Sequence, residues 1–309
     1  MRDHRGEITW VLGGAGFLGA HVVAAAHAFG GRVLNVCRHP ESLPESLHLH
    51  TTEPYPLDLL DGGALEALLV DVPPDRVINC AALSGGGDCE ARPALARALN
   101  SELPGRLAEA CAKSGARLVH VSTDLVFGGR PTPRGGFREQ DSPAPISGYG
   151  ASKFAGEEAV LGADRRAAVV RLPLLFGNSG GRGLGASDAL LAALARGDSP
   201  RLFIDEFRTP LDVSEAARAL VELAGGSFSG LLHVAGPDSL SRFELGGLVL
   251  RAAGHGGDEI ASLVLPARQA ELNLDPPRPA DVCLATERAR SLLSSPLSSP
   301  AEVLGPPRR

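Results

Sequence analysis

The chain has 309 residues, 44% of them hydrophobic and 21% charged, which is enough to bury a large core without metal or disulfide staples. Thirty Lys and Arg against 36 Asp and Glu leave a formal charge of −6, which excludes a broad attraction to nucleic acid or anionic lipid. Five cysteines without CxxC spacing and nine histidines without a ligand cluster point to isolated thiols in a reducing compartment and to no metal site.

The polar start MRDHRGE runs straight into an apolar strand rather than a signal-peptide core, and no apolar run is long enough to span a bilayer, so a cytoplasmic location is expected. Residues 8–12 read as a first strand, 17–29 as a helix and 32–37 as a second strand. Further strands are expected at 75–80 and 117–122, with crossover helices around 64–70 and 94–113. This alternation predicts an α/β fold, a mostly parallel sheet covered on both faces.

A helix follows over 150–161 and a buried strand over 167–172. Beyond Pro173 the pattern loosens into glycine-rich turns at 177–185, then a helix at 186–196 and another at 214–223, with Ser214 and Glu215 as its cap and acidic first turn. A strand at 231–234 and a helix at 241–253 complete the pattern. The division that results is a main domain over 1–173 to which 211–235 returns, a smaller substrate lobe made from 174–210 and 236–293, and a loose Ser- and Pro-rich tail over 294–309.

The run VLGGAGFLG sets Gly13, Gly16 and Gly19 behind the first strand. Without side chains the turn can approach a pyrophosphate, and the helix that Phe17 and Leu18 begin presents unpaired N–H groups to its charge. At the end of the second strand stands Arg38, followed by His39, where a dinucleotide enzyme specific for NAD would carry an acidic residue. An arginine there can pair with the 2′-phosphate of NADP, which favours NADP(H) with NAD(H) possible; the alternative is a solvated arginine at a strand exit. Asp58 suits the adenine edge, and Cys80, Ala81 and Ala82 suit a backbone segment beneath the cofactor, although both are also ordinary loop residues.

Tyr149 and Lys153 lie one helical turn apart, so their side chains can share a face. A lysine cation beside a phenol favours the phenolate and eases proton exchange with a carbonyl or alcohol. Thr123, just past the strand RLVHVS, can orient a substrate oxygen, and Asp124 can accept hydrogen bonds from a hydroxylated substrate; a turn or cap pair is the other reading. Asn100 could hold water or a backbone carbonyl for a proton relay, or simply form a polar helix face.

Seven stretches resemble the extended short-chain dehydrogenase/reductase superfamily, most closely its dTDP-4-dehydrorhamnose reductase family: GGAGFLG at 13–19, NCAA at 79–82, STDLVFGG at 122–129, YGASKFAGE at 149–157, RLPLLFG at 171–177, DEFRTPLDVSEAA at 205–217 and RPADVCL at 278–284. The resemblance implies a Rossmann-like doubly wound sheet with an interleaved C-terminal substrate lobe. It implies catalytic roles for Thr123, Tyr149, Lys153 and Asn100, passage of the Arg171 to Pro173 stretch by the nicotinamide with Pro173 near the ring, and a nucleotide sugar met by Arg208, Thr209 and Arg278. Two departures touch the sugar side: Leu125 stands where the family has tyrosine, and LSGGGDCE replaces the usual loop after NCAA.

The expected activity is therefore NADP-dependent reduction of a nucleotide-activated 4-keto-6-deoxysugar. Reduction of another hydroxylated ketone is an alternative, as is a non-catalytic NADP-binding regulatory role like that of the methionine adenosyltransferase beta subunit. A small-molecule substrate is expected, with no nucleic acid or membrane partner, and a homodimer through 94–113 and 149–161 is possible.

Overall fold

A computed structural model describes residues 6–42, 54–272, 274–275 and 277–305. In chain order its strands are β1 (Ile8–Leu12), β2 (Arg32–Cys37), β3 (Pro54–Pro56), β4 (Arg76–Asn79), β5 (Arg117–Thr123), β6 (Ala168–Leu172), β7 (Leu175–Phe176), β8 (Arg201–Phe203), β9 (Phe207–Arg208), β10 (Leu211–Asp212), β11 (Gly230–His233), β12 (Leu240–Ser241) and β13 (Leu265–Ala267). Its helices are α1 (Phe17–Phe29), α2 (Gly62–Asp71), α3 (Gly86–Ala91), α4 (Pro93–Arg97), α5 (Leu103–Ser114), α6 (Gly148–Ala163), α7 (Gly185–Ala195), α8 (Val213–Gly225), α9 (Arg242–Ala252), α10 (Gly257–Leu263), α11 (Glu287–Leu292) and α12 (Pro300–Leu304).

Seven strands form one parallel sheet in the order β11-β6-β5-β4-β1-β2-β3. Alternate strand residues face opposite sides, and both sides are apolar because both are covered. Val11, Ile78 and Val119 pack with α1 and α8 through Val22, Val23 and Leu220. Trp10, Val77 and Leu118 pack on the other face with α2, α5 and α6 through Leu65, Leu107 and Val160. The chain leaves β1 for β2 and β3 on one side and then builds β4, β5 and β6 on the other. That reversal opens a crevice at the carboxyl ends of β1 and β4, where such sheets bind ligands.

The expected crossover helix at 94–113 is interrupted. Between α4 and α5 the residues Ala98–Glu102 form a π-helical turn, and Asn100 in it is fully buried. Helix α8 is capped two residues earlier than the sequence suggests: Asp212, rather than Ser214, accepts from the Ser214 and Glu215 backbone N–H groups at 2.9 and 3.1 Å. Asp is as good a cap as Ser, and the strand β10 that delivers it ends at this residue.

The smaller lobe holds the strand pairs β9·β12 and β8·β13, with Leu190, Val249, Leu250 and Ile260 forming a separate apolar cluster among α7, α9 and α10, while the pair β7·β10 joins the main core through Leu211. The tail expected to be loose is fastened as far as Gly305. Ser294 and Ser295 donate to Glu222, Ser298 donates to Glu215 through both its N–H and its hydroxyl, and Leu297 is buried. Ser299 and Glu302 then form a reciprocal capping box on α12. The final residues of that tail, 306–309, and the first five of the polar start lie outside the described residues. Among the described residues no helix is long and apolar enough to cross a membrane.

Candidate active site

The carboxyl ends of β1, β4 and β5 open on a cleft of about 610 Å³. Gly13 leaves β1 with φ +77°, a conformation other residues rarely adopt, and a Cβ there would come within 2.9 Å of the Ala81 backbone. A Cβ on Gly19 would lie 2.1 Å from the Gly13 carbonyl oxygen, so this glycine lets α1 close onto the turn. Helix α1 starts behind Gly16 with no side chain capping its first amides. Those amides open on the cleft wall that Gly16, Phe17 and Leu18 form, an arrangement suited to an anion.

Arg38, Asp58, Cys80, Ala81, Ala82 and Pro173 line the same cleft, together with Thr123, Tyr149 and Lys153. The sequence-predicted cofactor residues are thus gathered around one space. Arg38 is exposed at its rim, with Nε donating to His39 Nε2 at 2.9 Å. Asp58 Oδ1 accepts from the Leu60 N–H at 3.0 Å, which shapes its turn. Arg92, Leu95 and Leu99 also line the cleft, on a face contributed by α4 and the turn after it; composition gave them no distinguishing signal.

Tyr149 occupies the first turn of α6, which Ser147 caps by accepting from the Gly150 N–H. Burial pushes the pKa of its phenol well above the usual value; Asp124 and Cys89 act the same way, and Thr123 opposes them. Lys153 is not what governs the phenol here, contrary to the sequence expectation. Its Nζ donates to the Val121 carbonyl at 2.6 Å and stands 3.4 Å from His120 Nε2, and burial brings it down to about 8 against the pull of Glu157 and Cys80.

The Thr123 hydroxyl donates to Asp124 Oδ1 at 3.1 Å and accepts from the Leu125 N–H at 3.2 Å. Asp124 is buried, and its Oδ2 has no hydrogen-bond partner. Burial lifts its carboxyl to about 6, although Arg208 and Thr123 draw it down. Asn100 grips the loop after β4 from both sides, accepting from the Leu83 N–H at 2.8 Å and donating to the Leu83 carbonyl at 3.0 Å and to Ser152 Oγ at 3.0 Å. Its side chain therefore shapes the cleft floor rather than lining it.

Six expected contacts lie elsewhere, among them Asp124 and Thr209, which are both buried, Thr209 accepting from the Leu284 N–H at 3.2 Å. Arg171 turns into the core, paired with Glu157 at 2.6 Å, and only its neighbours Leu172 and Pro173 reach the cleft. Arg208 is 5% exposed, donates to the carbonyls of Phe207 and Pro279, and stands 3.6 Å from Asp124 Oδ2. Arg278, half exposed, reaches Glu206 at 3.6 Å. Neither arginine lines the cleft, and neither does Leu125; Arg208 is turned towards the buried carboxylates Asp124 and Glu206.

The family model described as RmlD substrate binding domain matches residues 8–302. The chain belongs to the RmlD family, within the extended short-chain dehydrogenase/reductases. Among its relatives, a probable low-salt glycan biosynthesis reductase of Haloferax volcanii is 33% identical over 89% of this chain and 88% of that protein. The dTDP-4-dehydrorhamnose reductase of Mycobacterium tuberculosis is 32% identical over 99% of this chain and 97% of its own length. The crystal structure of the Bacillus anthracis dTDP-4-dehydrorhamnose reductase in complex with NADP superposes with a TM-score of 0.79 at 26% identity, covering 97% of each chain.

Within this RmlD-family site two side chains had weak signals in the sequence. Glu157 ends the stretch YGASKFAGE one turn past Lys153, and His120 is a polar residue set between Val119 and Val121. Both are buried directly behind the cleft. Among the described residues no group of His, Cys, Asp and Glu is arranged to hold a metal ion.

Proposed function

We propose that the chain is an NADPH-dependent reductase of a nucleotide-activated 4-keto-6-deoxysugar. The observation that carries this reading is the meeting of Tyr149, Lys153 and Thr123 with the Gly13 turn around a single cleft. The close approach of Gly13 to Ala81 and the uncapped amides of α1 fit a dinucleotide pyrophosphate, which residues 13–19 would hold. Arg38 would meet a 2′-phosphate at the rim, Asp58 the adenine edge, and Pro173 the nicotinamide. When bound, the nicotinamide supplies the hydride that a carbonyl carbon accepts.

The protein's own part is the proton. A phenol whose pKa is pushed above its usual value stays protonated at neutral pH, the state that Tyr149 needs in order to give its hydrogen to the carbonyl oxygen. Thr123, its hydroxyl held by Asp124, fixes where that oxygen rests. Lys153 offsets the phenolate charge left after donation. Asp124 acts from behind the cleft wall by holding the Thr123 hydroxyl, its Oδ2 facing Arg208 at 3.6 Å.

Purified protein mixed with NADPH and dTDP-4-keto-6-deoxyhexose tests the reading. Expected is consumption of NADPH in step with formation of the 4-hydroxy sugar nucleotide. Turnover confined to ketones that carry no nucleotide, or NADPH binding with no oxidation by any keto-sugar nucleotide, would overturn it.

A further inference from the structure

Three buried side chains behind the cleft form a connected chain that the proton donation does not itself use. Asn79 and His120 are 1% and 0% exposed, and Lys153 is 2% exposed. Asn79 Oδ1 accepts from the Ala81 N–H at 3.1 Å, which fixes the orientation of its amide. The amide nitrogen is thereby turned to His120 Nδ1, 3.1 Å away. An amide nitrogen can only donate, so Nδ1 must accept and the hydrogen of the neutral ring sits on Nε2. Nε2 in turn faces Lys153 Nζ at 3.4 Å. A hydrogen there is satisfied by the lone pair of a neutral amine and opposed by an ammonium, which has none to give.

We propose that Asn79 and His120 act as a tautomer lock on Lys153, setting a ring N–H against Nζ so that the neutral amine is favoured over the ammonium. The separations agree with a donor set against a donor: Lys153 comes to 2.6 Å from the Val121 carbonyl, which both of its forms can serve, and keeps 3.4 Å from the ring. Burial acts in the same direction on Lys153. It also holds His120 well below its usual value, with Lys153 adding to the effect, so the ring is neutral as the lock requires.

The other groups around Lys153 do not produce the same effect. Glu157, one turn along α6, favours the ammonium, but its carboxylate is already held by Arg171 and Ser122. Cys80, from the loop after β4, is pushed up to about 12 by burial and is a neutral thiol. Tyr149 lines the same cleft one turn earlier on α6. His120 alone among these sets a hydrogen against Nζ. The functional consequence rests on the reductase reading: as Tyr149 loses and regains its hydrogen, a lysine close to its own midpoint can follow the change in charge.

The lock is measured without turnover. The sequence contains two lysines, Lys113 and Lys153, so carbon NMR of protein labelled at the lysine Cε positions gives two resonances, with exposed Lys113 as the internal control. In the cofactor-free protein Lys153 should titrate near 8. Nitrogen NMR should find the His120 hydrogen on Nε2, the ring signal being assigned through correlations to its own backbone. Asn79→Asp supplies a carboxylate that accepts from the Ala81 N–H and from the ring together. This moves the ring hydrogen to Nδ1, makes Nε2 an acceptor for the ammonium, and raises the Lys153 midpoint by about one pH unit or more, tenfold in proton affinity.

Most of that rise should vanish when His120→Leu is added, leaving only the direct pull of the new charge. A hydrogen on Nδ1 in the wild-type protein, or an equal rise with and without His120, would overturn the lock. The tautomer measurement needs no variant, so a substitution that impairs folding does not block the test. If NADPH is oxidised with no keto-sugar nucleotide, the reductase reading fails while the tautomer and the titration still decide this proposal.

Discussion

Arg171 holds Glu157 through two parallel hydrogen bonds, Nε to Oε1 at 2.8 Å and Nη2 to Oε2 at 2.6 Å. Ser122 adds a third at 2.5 Å, so one buried carboxylate ties α6 to β5 and β6 beside Thr123. The guanidinium also lies 4.9 Å from the Phe127 ring centre and 3.3 Å from His233 Nε2. The pair keeps the helix bearing Tyr149 in register with the strand bearing Thr123.

Removing one partner leaves a buried charge uncompensated, which costs about 3–5 kcal/mol. Glu157→Leu and Arg171→Leu should each lower the denaturant midpoint by that order, and the double substitution should recover much of the loss. Urea unfolding of the three variants measures it. Single substitutions costing under about 1 kcal/mol would mean that the pair is not shielded from water.

Tyr149→Phe keeps the ring and removes the hydroxyl. NADPH affinity should stay within a few-fold while turnover with the keto-sugar nucleotide falls by about 100-fold or more, the usual scale of a lost general acid. Fluorescence titration of NADPH and steady-state kinetics separate the two effects. Undiminished turnover would remove Tyr149 from the role of proton donor.

What the sequence made legible was local. The glycine turn, the strand ends and the Tyr149 to Lys153 spacing each depend on residues within one or two turns of chain, and the parallel sheet follows from their alternation. The tail was misread because its serines are fixed by Glu215 and Glu222, on a helix some 70 to 80 residues earlier, a pairing no local pattern displays. Arg208 was expected to face a ligand because arginine suits phosphate, yet its direction is set by Asp124 and Glu206, which only lobe packing brings to it. The relation of His120 to Lys153 was hidden for the same reason: it needs Asn79, delivered by the neighbouring strand β4.

Arg38 stands at the rim of the cleft, exposed, with its Nε engaged by His39. A guanidinium so placed adds affinity only for a cofactor that carries a phosphate on the adenosine ribose. Arg38→Ala should weaken NADPH binding about 10-fold or more, on the scale of a lost charge-assisted hydrogen bond, and leave NADH binding nearly unchanged. Isothermal titration with each cofactor decides it, and an equal loss for both would sink the 2′-phosphate role.

Asp124 gives the protein a pH signature with a definite sign. Burial is the main cause that lifts its carboxyl from 3.8 to about 6; Arg208 at 3.6 Å and Thr123 pull it down, while Glu206 adds to the rise. The folded state therefore binds this proton more tightly than the unfolded chain does, so the contribution of Asp124 to stability is fully present below the unfolded value and is lost as pH rises through about 6. Asp124→Asn, which cannot ionise, should gain on the wild type across that window by at most roughly 3 kcal/mol, less whatever Arg208 loses with its charged neighbour. Chemical denaturation of both proteins at about pH 4 and about pH 7 measures the difference. A stability gap that does not change between those two conditions would show that the buried carboxyl titrates as it does in water, and that the polar pocket beside Thr123 is wetter than its packing implies.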